Sequence, residues 1–130
     1  MSNVNRVILS LGSNLDSDMN IECADMELQA HFVSIYFSEP VYTNPIGGSE
    51  DTPPFLNQIA IGYTTEDPEN LRDLFKEIEQ LLGRNAQDDE ELRIPIDIDL
   101  LQWNNQNFKP EDMRRDYVLA GIRSLLNQGV

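Results

Sequence analysis

A β-α-β-β-α-β sandwich of the α+β class, closed by a short helical tail, is the fold this sequence predicts. Three observations predict it. Four apolar, β-branched-rich runs are bounded by turn residues. Two longer segments between them carry helical spacing. The chain has 130 residues and is 40% hydrophobic, enough for one core but not for two comfortable ones, so residues 1–130 are read as a single domain.

Arg6–Leu11 (RVILSL) is the first strand, stopped by Gly12-Ser13-Asn14, which shape the turn. From about Asp18 to His31, apolar positions recur at Met19, Cys23, Met26 and Ala30, a helical spacing. His31 falls at that helix's C-terminus, a solvated place where the dipole favours a cation. Phe32–Val41 is the second strand, and residues 43–54, with Pro45, Gly47, Gly48, Pro53 and Pro54, form a loop long enough to suspect a function. Phe55–Thr64 is the third strand. Thr65-Glu66-Asp67-Pro68-Glu69 starts a helix whose face is Leu71, Leu74, Phe75, Ile78, Leu81 and Leu82, terminated by Gly83. The polar, acidic stretch 85–92 reads as a mobile loop. Ile94–Trp103 is the fourth strand, Asn104–Asn107 a turn, Lys109–Asp112 a short helical start, and Tyr117–Gln128 a last helix. This order is that of the ferredoxin-like sandwich, an antiparallel sheet with both main helices on one face.

Nine Lys and Arg against 23 Asp and Glu give a net charge of −14. Nonspecific binding to nucleic acid or to an anionic membrane needs the opposite sign. An anionic substrate would need metal ions or a few local Arg residues to offset this field. Cys23 is the sole cysteine, so no internal disulfide forms, and packing is its expected role. With no membrane-length apolar run and no leader pattern at the N-terminus, a cytoplasmic protein is the expectation.

Asp97 and Asp99 are the residues with the clearest chemical meaning. Two apart in a strand, they share one face, while Ile96, Ile98 and Leu100 take the other. A rise of about 3.3 Å per residue puts their Cα atoms about 7 Å apart, a separation at which two carboxylates can ligate hard cations. A solvated polar face on an edge strand is the competing reading. Asp is depleted in strands, which is why the pair needs a reason.

Four segments, in order, carry a family resemblance: Val7–Leu15 (VILSLGSNL), Val33–Gly47 through Ser38-Glu39-Pro40 and Thr43-Asn44-Pro45-Ile46-Gly47, Pro54-Phe55-Leu56-Asn57, and Ile78–Arg84 (IEQLLGR) followed by Ile96–Leu101 (IDIDLL). The sequence resembles 6-hydroxymethyl-7,8-dihydropterin pyrophosphokinase, an enzyme of folate biosynthesis. That resemblance implies transfer of a pyrophosphoryl group from ATP to the pterin alcohol, leaving AMP, with two magnesium ions held by Asp97 and Asp99. It also implies a pterin site at Thr43, Pro45, Ile46, Phe55 and Asn57, and phosphate or nucleotide contacts from Glu79, Arg84 and Arg115, the last read with a one-residue gap. The departures lie on the ATP side. Lys109-Pro110-Glu111 stands where the family carries a Pro-His segment, residues 85–91 form an acidic loop in place of a basic one, and Leu92-Arg93-Ile94-Pro95 replaces Gly-Pro-Arg. Arg93 is the candidate for the missing cation, one register position out. A non-catalytic relative, acting as a pterin-binding or protein-interaction module, is the alternative function.

Overall fold

A computed structural model of the chain describes residues 3–45, 47 and 49–130. The protein is a mixed α/β structure built on one antiparallel sheet. In chain order the elements are β1 (Asn5–Ser13), α1 (Ser17–His31), β2 (Ser34–Phe37), β3 (Val41–Thr43), β4 (Phe55–Thr64), α2 (Pro68–Leu81), α3 (Ala86–Glu90), β5 (Asp97–Trp103), β6 (Gln106–Asn107), a 3-10 turn (Asp112–Arg114) and α4 (Asp116–Asn127). The sheet order is β2-β4-β1-β5-β6, with β3 pairing the other end of β4.

Four expected boundaries change. The second strand divides into β2 and β3, with Pro40 between them; proline has no N–H to give a sheet ladder. Asp97, not Ile94, opens β5, and the Asn104–Asn107 turn contains the short β6. The acidic stretch expected as a mobile loop holds α3, whose N-cap Asn85 accepts a hydrogen bond from the Asp88 N–H at 2.9 Å.

Helix α1 shows the largest difference. Its core face is Ile21, Ala24 and Leu28, not the expected Met19–Cys23–Met26–Ala30 stripe. Met19 and Met26 are 60% and 64% exposed, and Cys23 is only partly covered. Both stripes have helical spacing, and the one that carries Ile21 and Leu28, with the small Ala24 between them, packs on the sheet.

The sheet buries both faces. On one, Val7, Leu9 and Leu11 of β1 and Ile98 and Leu100 of β5 pack under α1 and under Leu71, Phe75 and Ile78 of α2. On the other, Ile8, Ile59, Ile61 and Leu101 meet Val118 and Leu125 of α4. Strand β5 serves both layers because its register shifts opposite Ile8 and Leu9: Leu9 pairs Leu100 while Ile8 pairs Gln102, leaving Leu101 as a bulge. Leu101 turns to the α4 layer and Trp103 packs on the α1–α2 layer.

Gly121 lets α4 approach the sheet. An added Cβ there would stand 2.6 Å from Ile59 Cγ1 and 2.8 Å from its Cβ. Gly121→Ala is therefore expected to cost about 1–3 kcal/mol of stability, outweighing the better helix propensity of Ala. A denaturant midpoint at or above that of the parent would refute this.

Candidate active site

Strand pairing sets the site's floor. Asp97 pairs Gly12, and Gly12 pairs Asn57, so Asp97 and Asn57 lie in one cross-strand row of the sheet, on the two strands that flank β1. Asp99 pairs Ser10 one step along. Ile96, Ile98 and Leu100 are buried behind them, as the alternation requires. An added Cβ at Gly12 would meet Asn57 Oδ1 at 3.4 Å and the Phe55 ring at 3.7 Å, so glycine keeps this floor low.

Two clefts meet at the aspartates. The first, about 720 Å³, lies over the sheet and is lined by Thr43, Pro45, Phe55, Asn57, Arg115 and Tyr117 as well as by Asp97 and Asp99. The second, about 560 Å³, lies along the outer edge of β5 and is lined by Arg72, Lys76, Glu79, Arg84, Phe108 and Lys109 together with the same two aspartates. Expected site residues from three separate stretches thus sort into two compartments with a shared carboxylate pair.

In the first cleft, Asn57 Nδ2 donates to Thr43 Oγ1 at 2.6 Å and to the Phe55 carbonyl at 3.2 Å. These bonds fix the amide and aim its Oδ1 over Gly12. Arg115 Nε donates to Asp112 Oδ1 at 3.0 Å. Tyr117, from the first turn of α4, adds a second aromatic ring besides Phe55. Burial raises the Tyr117 phenol's pKa, so it remains a neutral donor. Ile46 lies outside the described residues.

In the second cleft, the end of α2 places the chemistry. Gly83, at φ 97°, ends the helix with its N–H donating to the Gln80 carbonyl and the Arg84 N–H to the Glu79 carbonyl. This left-handed close turns Arg84 back beside Glu79. Arg84 then reaches four acceptors: Asp97 Oδ1 at 2.8 Å, Asp89 Oδ1 at 3.1 Å, Glu79 Oε2 at 3.2 Å and the Ile96 carbonyl at 3.4 Å. Glu79 Oε2 also accepts the Ile98 N–H at 2.9 Å, satisfying the free edge of β5. Burial raises the Glu79 pKa, and the Ile98 bond and Arg84 oppose that rise. For Arg84, burial disfavours the charge, but the bond to Asp97 and the charges of Asp97 and Glu79 outweigh it, so its pKa rises.

The structure brings Arg93 to neither cleft. It is 55% exposed, 3.9 Å from Glu91, and lines a separate surface hollow with Asn14 and Pro53. Asn14 fixes the segment, donating to the Leu92 carbonyl at 2.6 Å and accepting from the Ile94 N–H at 2.7 Å. Ile94 is thereby held in the interior, while Arg93 points to the surface. Residues that the sequence did not place in the site also line it, among them Lys76, Lys109, Tyr117, and the pair Arg72–Phe108, whose guanidinium stands 4.5 Å above the ring. Lys109 had a signal, since it opens the segment that departs from the family pattern. Arg72 and Phe108 had none.

A family model described as 7,8-dihydro-6-hydroxymethylpterin-pyrophosphokinase matches residues 8–127. The chain belongs to that family. The pyrophosphokinase match spans all the residues of both clefts. Among curated relatives, the 2-amino-4-hydroxy-6-hydroxymethyldihydropteridine pyrophosphokinase of Helicobacter pylori is 30% identical over 112 residues, covering 84% of this chain and 69% of that protein. The folate synthesis bifunctional protein of Chlamydia caviae is 30% identical over 139 residues, 96% of this chain and 31% of that protein. A protein of the same name from Arabidopsis thaliana is 27% identical, over 92% of this chain and 27% of that protein. The chain thus spans about a third of the length of the two bifunctional relatives.

The donor set at the paired aspartates suits a hard divalent cation. Burial, then the negative charge of Asp97, pushes the Asp99 carboxyl up to about 6, with Lys109 opposing. Two crowded carboxylates of this kind gain from a shared counter-charge. No third His, Cys, Asp or Glu joins them among the described residues. Magnesium accepts that, because it usually takes one or two protein carboxylates and completes its octahedron with water and phosphate oxygens. No helix is long and apolar enough to cross a membrane, among the described residues.

Proposed function

We propose that this chain transfers the β,γ-pyrophosphoryl group of ATP to the hydroxymethyl oxygen of 6-hydroxymethyl-7,8-dihydropterin, releasing AMP. The observation that carries the reading is the meeting of two clefts at one carboxylate pair. Two substrates entering from opposite sides converge there, as in-line transfer requires. The strand order β2-β4-β1-β5, with α1 and α2 over one face, supports the ferredoxin-like assignment, α4 being an addition on the other face.

The sheet-side cleft takes the pterin. Phe55 and Tyr117 offer flat apolar surface to a bicyclic ring. The fixed Asn57 amide offers its Oδ1 to a ring N–H, and Thr43 and Pro45 close the loop side. The edge cleft takes ATP. Arg84, Lys109, Lys76 and Arg72 line it, offsetting the chain's net negative field at the place where a polyphosphate must enter. Arg115 stands on the pterin side, where it faces the transferred group. Asp97 and Asp99 would hold two magnesium ions, which when bound neutralise phosphate charge as Lewis acids. The chain's own part is to fix the alcohol and the triphosphate against each other and to keep water from competing. Cys23 as the lone thiol and substrates of central metabolism fit a cytoplasmic place of action.

The test is to supply pterin alcohol, ATP and magnesium and to follow AMP. AMP formation that Asp97→Ala abolishes supports the enzyme reading. No AMP, with pterin binding retained in calorimetry, would move the assignment to a non-catalytic pterin-binding relative. The pterin assignment makes its own prediction. Asn57→Ala is expected to raise the pterin KM about tenfold by removing a buried hydrogen-bonding group, with the ATP KM within about twofold of the parent. Equal shifts in both KM values would refute it.

A further inference from the structure

Each aspartate of the pair is already held by a cation of the chain itself. Arg84 Nη1 lies 2.8 Å from Asp97 Oδ1, and Lys109 Nζ lies 3.4 Å from Asp99 Oδ1. The two cations are not equivalent. Arg84 is anchored by Glu79, Asp89 and the Ile96 carbonyl as well. Lys109 has Asp99 as its one ion-pair partner among the described residues. It sits on the link between β6 and the 3-10 turn, its side chain is 45% exposed, and its four-carbon stem can pivot. It also lines the edge cleft, on the side where the polyphosphate enters.

An ammonium and a divalent cation cannot both occupy the same side of the Asp99 carboxylate. Two like charges within about 4 Å repel strongly at a partly buried site. Entry of the metal therefore releases the Lys109 ammonium, and the nearest anion it can then meet is a phosphate oxygen in the same cleft.

We infer that Lys109 is an exchangeable counter-ion: it neutralises Asp99 before nucleotide arrives and passes its ammonium to a phosphate oxygen when Asp99 takes up the divalent cation. This rests on the edge cleft being the nucleotide site. Its consequence is that metal and polyphosphate bind as a unit. Metal alone must displace an ammonium whose one ion-pair partner among the described residues is Asp99, and among those residues it finds two carboxylates and no third ligand. Polyphosphate alone can draw the Lys109 ammonium to itself only by leaving Asp99 uncovered beside it. Each ligand removes the other's obstacle, and the coupling is reciprocal.

The experiment compares the parent chain with Lys109→Met and Lys109→Arg. Manganese alone is titrated by the electron paramagnetic resonance of the free ion. Manganese with a nonhydrolysable ATP analogue is titrated by calorimetry, and thermal melts check folding. Lys109→Met is expected to bind manganese alone about threefold more tightly, since a half-exposed competing ion pair is gone. It is expected to bind the manganese–analogue complex about tenfold more weakly, since a charge-assisted phosphate contact is gone. Lys109→Arg is expected to stay near the parent on both measures. A lysine that merely supports the fold would shift both affinities the same way or neither, and either result overturns the inference. If the parent binds the manganese–analogue complex but Lys109→Met shows no opposed shifts, only the inference falls. If the parent binds neither manganese nor the analogue, the nucleotide reading falls and takes the inference with it.

Discussion

Asp99→Asn is expected to stop pyrophosphate transfer and, above pH 6, to yield a protein that melts at a higher temperature than its parent. The first effect follows from the loss of half the carboxylate pair. Metal-assisted neutralisation of phosphate charge is worth several kcal/mol, so kcat should fall by about 10³-fold. The second follows from the crowding that makes the pair useful. Burial and Asp97 push the Asp99 carboxyl up from 3.8 to about 6 in the folded protein. The folded chain therefore holds the proton more tightly than the unfolded one, and this group's contribution to stability is full below about pH 4 and is lost as pH rises through about 6. Asparagine carries no charge to crowd, so it avoids that loss. After discounting for solvent screening, the gain near pH 7 is about 1 kcal/mol. Melting temperatures of parent and variant should coincide near pH 4, separate between about pH 4 and 6, and hold that separation above pH 6. A variant less stable than the parent at pH 7 would mean that the Lys109–Asp99 pair outweighs the repulsion.

Arg84→Met is expected to damage both stability and activity, and Arg84→Lys to rescue neither fully. One guanidinium serves Asp97, Asp89, Glu79 and the Ile96 carbonyl, and its planar fork has donors enough for that set. A lysine ammonium has three donors and no fork. Without Arg84, Glu79, whose side chain is only 14% exposed, keeps a charge with one backbone partner, the Ile98 N–H. The loss should be about 2 kcal/mol at pH 8. It should shrink toward pH 5, because Glu79 already leans toward its neutral form and escapes the penalty by taking up a proton. With the edge cleft proposed as the ATP site, loss of this cation should lower kcat/KM for ATP by at least about tenfold. Denaturant titrations at the two pH values test the first claim. An equal stability loss at pH 5 and pH 8 would show that Glu79 charge does not govern it.

The orientation of the aspartate strand was legible because its signal is period two and its polar residues are short: Asp97 and Asp99 against Ile96, Ile98 and Leu100 admit one orientation. The end of α2 was legible for a similar reason, since Gly83 fixes where the helix stops and so which residue, Arg84, comes next to Glu79. Helix α1 was not. Its apolar residues form two stripes, and only the sheet decides between Ile21–Ala24–Leu28 and Met19–Cys23–Met26. Helix α3 hid because five residues show no apolar period, although Asn85 followed by Asp88 and Asp89 has the chemistry of a helix start. Apart from Arg84, the cations of the edge cleft were misplaced along the chain. The reading looked for them just before β5, at Arg93, whereas Lys109 comes from just after it and Arg72 and Lys76 from α2. Which positions share a cleft across a free sheet edge is a tertiary fact with no sequence period.

The bulge at Leu101 divides β5 into two halves whose orientations are set separately. The half bearing Asp97 and Asp99 is pinned by pairing with Ser10 and Gly12, and the half bearing Gln102 and Trp103 by pairing with Ile8 and Val7. In an unbulged strand, adding or removing a residue downstream of the acids would tend to trade one face for the other along its whole length. Here such a change in the 104–107 hairpin can be absorbed beyond the irregularity. The hairpin is thus free to drift in length over evolution, and to carry new residues into the edge cleft, while the two carboxylates keep their aim.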